Sequence, residues 1–152
     1  MMIRNYQEQL GRFVPGAVLA TIIGGLYYYP FAYLWGYIAK YNPLIEIFLD
    51  LARNGMPLAF RVVVYIQDFL INLVLMLPLA MIIIRLQPRG SWLHILLALV
   101  ACELVSLQPV WSKLIEHIED LGVLTYLFYV VLVSAPALVN FKLLKNRLGT
   151  AQ

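Results

Sequence analysis

Six polar side chains, Tyr28, Tyr65, Asp68, Asn72, Glu103 and Tyr126, sit inside stretches that are otherwise apolar. Two of them are acids, and an acid at the centre of a bilayer costs roughly 2.5–3.5 kcal/mol on insertion scales, so each must face protein or water rather than lipid. Tyr65, Asp68 and Asn72 follow the i, i+3, i+7 spacing that places them on one helical face. Glu103 shares a face with Ser106, and Tyr126 with Tyr129. If these faces meet, they enclose a pocket with two carboxyls and several phenols. Two carboxyls in a low-dielectric site seldom both stay ionised, so such a pair shares a proton or a cation.

Four uses follow from that chemistry. The groups fasten helices to one another or to a partner, relay protons or cations, hold a basic ligand, or act as an acid/base pair for hydrolysis. Fastening ranks first, ion or ligand traffic second and intramembrane hydrolysis last. The chain holds no GxSxG, HExxH or SxxK motif and no phosphate-cradling glycine loop. His94, nine residues from Glu103, falls on roughly the opposite helical face and reads as an interfacial residue. Glu116, His117 and Asp120 could touch a metal from one helical turn, but such a cluster in a polar stretch is usually a solvated face. The expectation is a non-enzyme with no metal and no cofactor. Cys102 lies in an apolar run and reads as packing; one cysteine excludes an internal disulfide framework.

The elements that must position these groups are read from hydropathy. The 152 residues are 62% hydrophobic and 12% charged, with a mean hydropathy of +0.82. Soluble domains run nearer 45–50% apolar and about 25% charged. The expected fold is all-α, an integral membrane four-helix bundle forming a single domain over residues 1–152. Membrane helices are expected at about 13–39, 62–84, 92–111 and 121–141. The first apolar run is too long for a signal-peptide core and lacks an A-x-A site, so it reads as a retained helix. Gly24 and Gly25 in that run let a neighbouring helix approach closely. Tyr27, Tyr28, Tyr29, Tyr33, Trp35 and Tyr37 read as an aromatic belt. Between the first two spans, Asn42-Pro43 and Gly55 bracket a short amphipathic helix at about 44–54, with Glu46, Asp50 and Arg53 on one face. Too short to span, it is expected to lie in the outer interface. Pro78 and Pro136 each remove a backbone donor, kinking helices two and four and leaving neighbours to satisfy the freed carbonyls.

Charge sets the expected orientation. Arg4, Arg12, Arg85, Arg89, Lys142, Lys145 and Arg147 would lie on one side; Lys40, Arg53, Arg61 and Lys113, with five acids, would lie on the other. Both termini are therefore expected in the cytoplasm of a multi-pass cell-membrane protein, of the bacterial inner-membrane type. Counting 17 residues from Arg85 to Asp68 and 14 from Arg89 to Glu103 gives about 25 and 21 Å of helix, which puts both acids in the outer half. Tyr28, 16 residues from Arg12, and Tyr126, 16 from Lys142, fall at the same level. The expected partners are the lipid bilayer and a second copy or another membrane protein, with no nucleic acid. The expected function is a small membrane component acting through helix contacts in an oligomer or larger complex. Its rival is an ion or solute conduit built on Asp68 and Glu103.

Overall fold

The computed structural model describes residues 2–86, 92–113 and 122–149, with the side chains of 14–86, 92–109, 113 and 122–147. Among the described residues every regular element is helical. The elements are α1 (Met2–Lys40), α2 (Ile45–Arg53), α3 (Pro57–Leu75), α4 (Leu77–Leu86), α5 (Trp92–Ser106), a 3-10 helix (Gln108–Lys113) and α6 (Val123–Gly149). Three segments are long and apolar enough to cross a membrane. They are Val14–Lys40 (27 residues, mean hydropathy 1.4), the α3–α4 rod Pro57–Leu86 (30 residues, 2.4) and Val123–Arg147 (25 residues, 1.9). The apolar α5 is shorter, at 15 residues. The turn through Arg89 and the polar stretch holding Glu116, His117 and Asp120 lie outside the described residues.

Local chemistry accounts for the ends of α2 and the start of α3. The Asn42 side-chain oxygen accepts from the Leu44 amide at 3.0 Å, so the residue caps the turn ahead of α2 rather than the helix itself. At the other end Gly55 takes φ +65°, its N–H reaching the Ala52 carbonyl and the Met56 N–H the Leu51 carbonyl. That is a Schellman stop, and only glycine enters the left-handed region without a Cβ penalty. Pro57 then opens α3 from the first helical turn, where its missing donor has no partner to lose. This start lies five residues ahead of the expected one at 62.

The buried core lies toward one end of the helices. It comprises Ala20 of α1, Met76, Leu79, Ala80, Ile83 and Ile84 at and after the α3–α4 junction, Ile95, Ala98 and Leu99 of α5, and Ala137 and Phe141 of α6. Phe141 stacks obliquely on Trp92, ring centroids 5.2 Å apart. The tightest crossing is α1 on α5. A Cβ built on Gly24 would overlap the Ala98 carbonyl, whereas one on Gly25 would make only ordinary contact with Val105 at 3.5 Å. Of the two glycines, Gly24 is therefore the one that lets the backbones touch.

Toward the α2 end the packing thins. Among the described residues of 25–71 and 103–131 only Phe48 is buried, its ring meeting Phe60 edge-on at 6.3 Å. The side chains are most buried toward the end carrying Arg85 and Arg147 and more exposed toward the end carrying α2.

Candidate functional site

The buried polar chemistry of this fold begins at two prolines. Pro136 has no N–H, so within the unbroken α6 the Leu132 carbonyl loses its i+4 donor. Asn72 supplies the replacement: its Nδ2 donates to the Leu132 oxygen at 3.1 Å. The Asn72 Oδ1 in turn accepts from the Trp35 indole N–H at 2.9 Å. One asparagine, 2% exposed, thus ties α1 and α6 to α3 through a proline defect.

Pro78 interrupts the second span: with no N–H, it leaves the Val74 carbonyl without its i+4 donor. The helical ladder stops at Met76, whose N–H reaches the Asn72 carbonyl at 2.8 Å, and resumes with Ala80 bonding to Met76 at 3.2 Å. The carbonyls of Leu73 and Leu75, on either side of Val74, accept bonds from other helices. Asn140 of α6 donates to Leu73 at 2.7 Å, and the Tyr27 hydroxyl of α1 donates to Leu75. These two bonds tie α6 and α1 to the break between α3 and α4. Each of these proline-bearing helices is therefore bonded by amide or phenol donors from its neighbours.

The sequence-derived candidates divide on this geometry. Asn72 belongs to the proline network. Tyr65 packs its ring on Phe128 of α6, centroids 4.5 Å apart. Since Asn72 also meets α6, Asp68 sits on the flank between two α6 contacts. Its carboxyl is half-buried and makes no hydrogen bond or ion pair with the described residues. Glu103 pairs with Ser106, whose hydroxyl donates to the Glu103 carbonyl at 2.7 Å and lies 3.3 Å from its carboxylate. The Tyr126 phenol is within electrostatic reach of that carboxylate. Tyr28 packs edge-on against Tyr29 at 5.7 Å. Glu103, Ser106 and Tyr126 are thus brought together, while no hydrogen bond joins Asp68 to Glu103.

Several expectations change. Tyr27 and Trp35 donate inward rather than serving only as a belt. His94 is buried on α5 rather than lying at an interface. Asn140, which the sequence reading did not single out, is as much a part of the network as Asn72. For Asn72 a signal was present in the sequence: Pro136 strands the Leu132 carbonyl, and an uncharged amide inside an apolar helix is a natural donor to it. Asn42 and Gln67, whose side chains meet at 3.3 Å, join the α1–α2 turn to α3 in a similar way.

Chemically, this arrangement fastens helices; its donors are spent on backbone carbonyls. Among the described residues, Asp68 and the Glu103–Ser106–Tyr126 group, in the more exposed half, keep capacity for other partners. No protein-family model matches the chain, and neither a curated protein nor a solved structure matches it.

Proposed function

We propose that this chain is a small, non-enzymatic, multi-pass membrane protein that works through helix contacts made by its more exposed half, in an oligomer or with another membrane protein. In this reading α1, the α3–α4 rod, α5 with its 3-10 extension, and α6 each cross the bilayer as a four-helix bundle. At 1.5 Å per α-helical and 2.0 Å per 3-10 residue, the 15 and 6 residues of the third crossing reach about 34 Å, enough for a hydrocarbon core of about 30 Å. Both termini lie in the cytoplasm of a bacterial inner-membrane-type cell and α2 lies in the outer interface, by the charge asymmetry of the loops.

The observation that carries the reading is the incomplete α2 half. Tyr29, Tyr33 and Tyr37 line one flank of α1 at 60%, 75% and 58% exposure. Tyr29 stands 11 residues before Lys40, about 16 Å along the axis and deeper than an interfacial belt reaches. Asp68, half-buried in the same half, has no partner within the described chain. Lipid does not satisfy a carboxyl or the Tyr29 hydroxyl at that depth, whereas a helix from another chain does.

The test is assembly. In mild detergent the native protein is expected to run as a complex by light scattering or native mass spectrometry, and Tyr29→Leu with Tyr33→Leu is expected to dissociate it. A native protein that is monomeric at every dilution and recovers no partner from its own membranes overturns the reading. The unpaired Asp68 favours one rival, a conduit using Asp68 and Glu103. Asp68→Asn and Glu103→Gln decide it: flux through proteoliposomes that falls in both variants supports the conduit, and unchanged flux with altered complex size rejects it.

A further inference from the structure

At the more buried end, α4 and α6 run side by side in the same direction, and a groove opens between them. One lobe, about 270 Å³, is lined by Met81, Ile84, Arg85, Leu144 and Arg147. A second, about 220 Å³, shares Leu144 and Arg147 and continues back to Leu77 and Leu143, with Asn140, whose amide donates to the Leu73 carbonyl, in its lining. Apolar wall therefore extends from Leu77 to Arg85, eight residues or about 12 Å along the helix axis, and ends at two guanidiniums.

We infer that this groove is a docking site for one anionic phospholipid, its acyl chain along Leu77, Met81 and Leu144 and its phosphate between Arg85 and Arg147. The inference rests on the membrane reading above and adds a ligand to it. Charge complementarity selects the occupant. Arginines at the ends of spanning helices ordinarily reach separately into the interface. Here two from different helices converge on one groove, and the described residues lining it include no acid. The guanidinium fork matches phosphate oxygens in pairs, which a zwitterionic headgroup satisfies only by giving up its own ammonium contact. The apolar lobes distinguish a lipid from a free phosphate ion, which would gain nothing from Met81 or Leu77.

The full-length protein should be placed in phosphatidylcholine nanodiscs and in discs of equal parts phosphatidylcholine and phosphatidylglycerol, after alkaline extraction has shown whether it is integral to membranes. Native mass spectrometry after detergent release is expected to find phosphatidylglycerol retained in preference to phosphatidylcholine, with inorganic phosphate failing to displace it. Retention is expected to fall about thirtyfold in Arg85→Gln/Arg147→Gln, two basic contacts being lost, and to hold in Arg61→Gln, at the other end. Equal retention of the two lipids by the native protein overturns the inference without depending on any variant; so does retention unchanged in the double variant. Displacement by phosphate alone replaces the lipid with a simple anion site. Release of the protein by alkaline extraction overturns the membrane reading and the lipid site with it, whereas an integral protein without lipid preference removes only the site.

Discussion

Replacing Asn72 with leucine keeps nearly the same side-chain shape while removing both of its hydrogen bonds. The Trp35 bond at 2.9 Å joins α1 to α3, and interhelical bonds in membrane bundles average about 0.6 and reach about 1.7 kcal/mol. The Leu132 bond at 3.1 Å carries more, since its loss leaves a buried carbonyl with no donor, at about 1–3 kcal/mol. Together the two predict a destabilisation of about 2–4 kcal/mol for Asn72→Leu. Pro136→Ala gives a sharper test. An alanine there restores the N–H that Leu132 lacks, so in that background Asn72→Leu should lose only the Trp35 bond, about 1 kcal/mol. The expected coupling is therefore about 1–3 kcal/mol. Reversible unfolding of the native protein, both single variants and the double variant in mixed micelles, followed by tryptophan fluorescence and helical circular dichroism, measures it. An Asn72→Leu penalty equal in the two backgrounds would refute the assignment of Asn72 to the proline-freed carbonyl.

Two further outcomes bear on the same architecture. Gly24→Ala is expected to lower stability by about 1–3 kcal/mol or prevent assembly of α1 on α5, because its Cβ meets backbone that cannot turn aside, while Gly25→Ala and Gly36→Ala stay near native in thermal unfolding. Asp68→Asn should change the unfolding free energy of the detergent-solubilised monomer by no more than about 0.5 kcal/mol, since no described side chain binds that carboxyl, and any larger effect should appear in assembly or flux.

Much of this architecture is set by composition and local chemistry alone. The long apolar runs mark out the three helical segments that are long and apolar enough to cross a membrane, so their positions follow from hydropathy. Gly55 and Pro57 mark a helix stop and a helix start through their own backbone preferences, with no help from the rest of the chain. Pro78 and Pro136 announce that carbonyls will be stranded, because the missing N–H is a property of the residue itself. The three-residue period likewise puts Glu103 and Ser106 together, and they do bond.

What the sequence leaves open is which neighbour answers each need. That depends on helix rotation, crossing and depth, all set by packing between segments far apart in the chain. Asn72 and Asp68 differ by one helical turn, yet one is buried against Leu132 and the other has no hydrogen-bond partner among the described residues. Gly24 and Gly25 are adjacent and alike in sequence; only the crossing of α5 makes the first one indispensable. Tyr27 and Trp35 look like the other aromatic residues around them until the α3–α4 break and Asn72 arrive beside them. The tertiary structure alone turns the polar residues of the spans into two groups. One bonds helices together around Pro78 and Pro136, and the other, around Asp68 and Glu103, stands in the half whose side chains are more exposed.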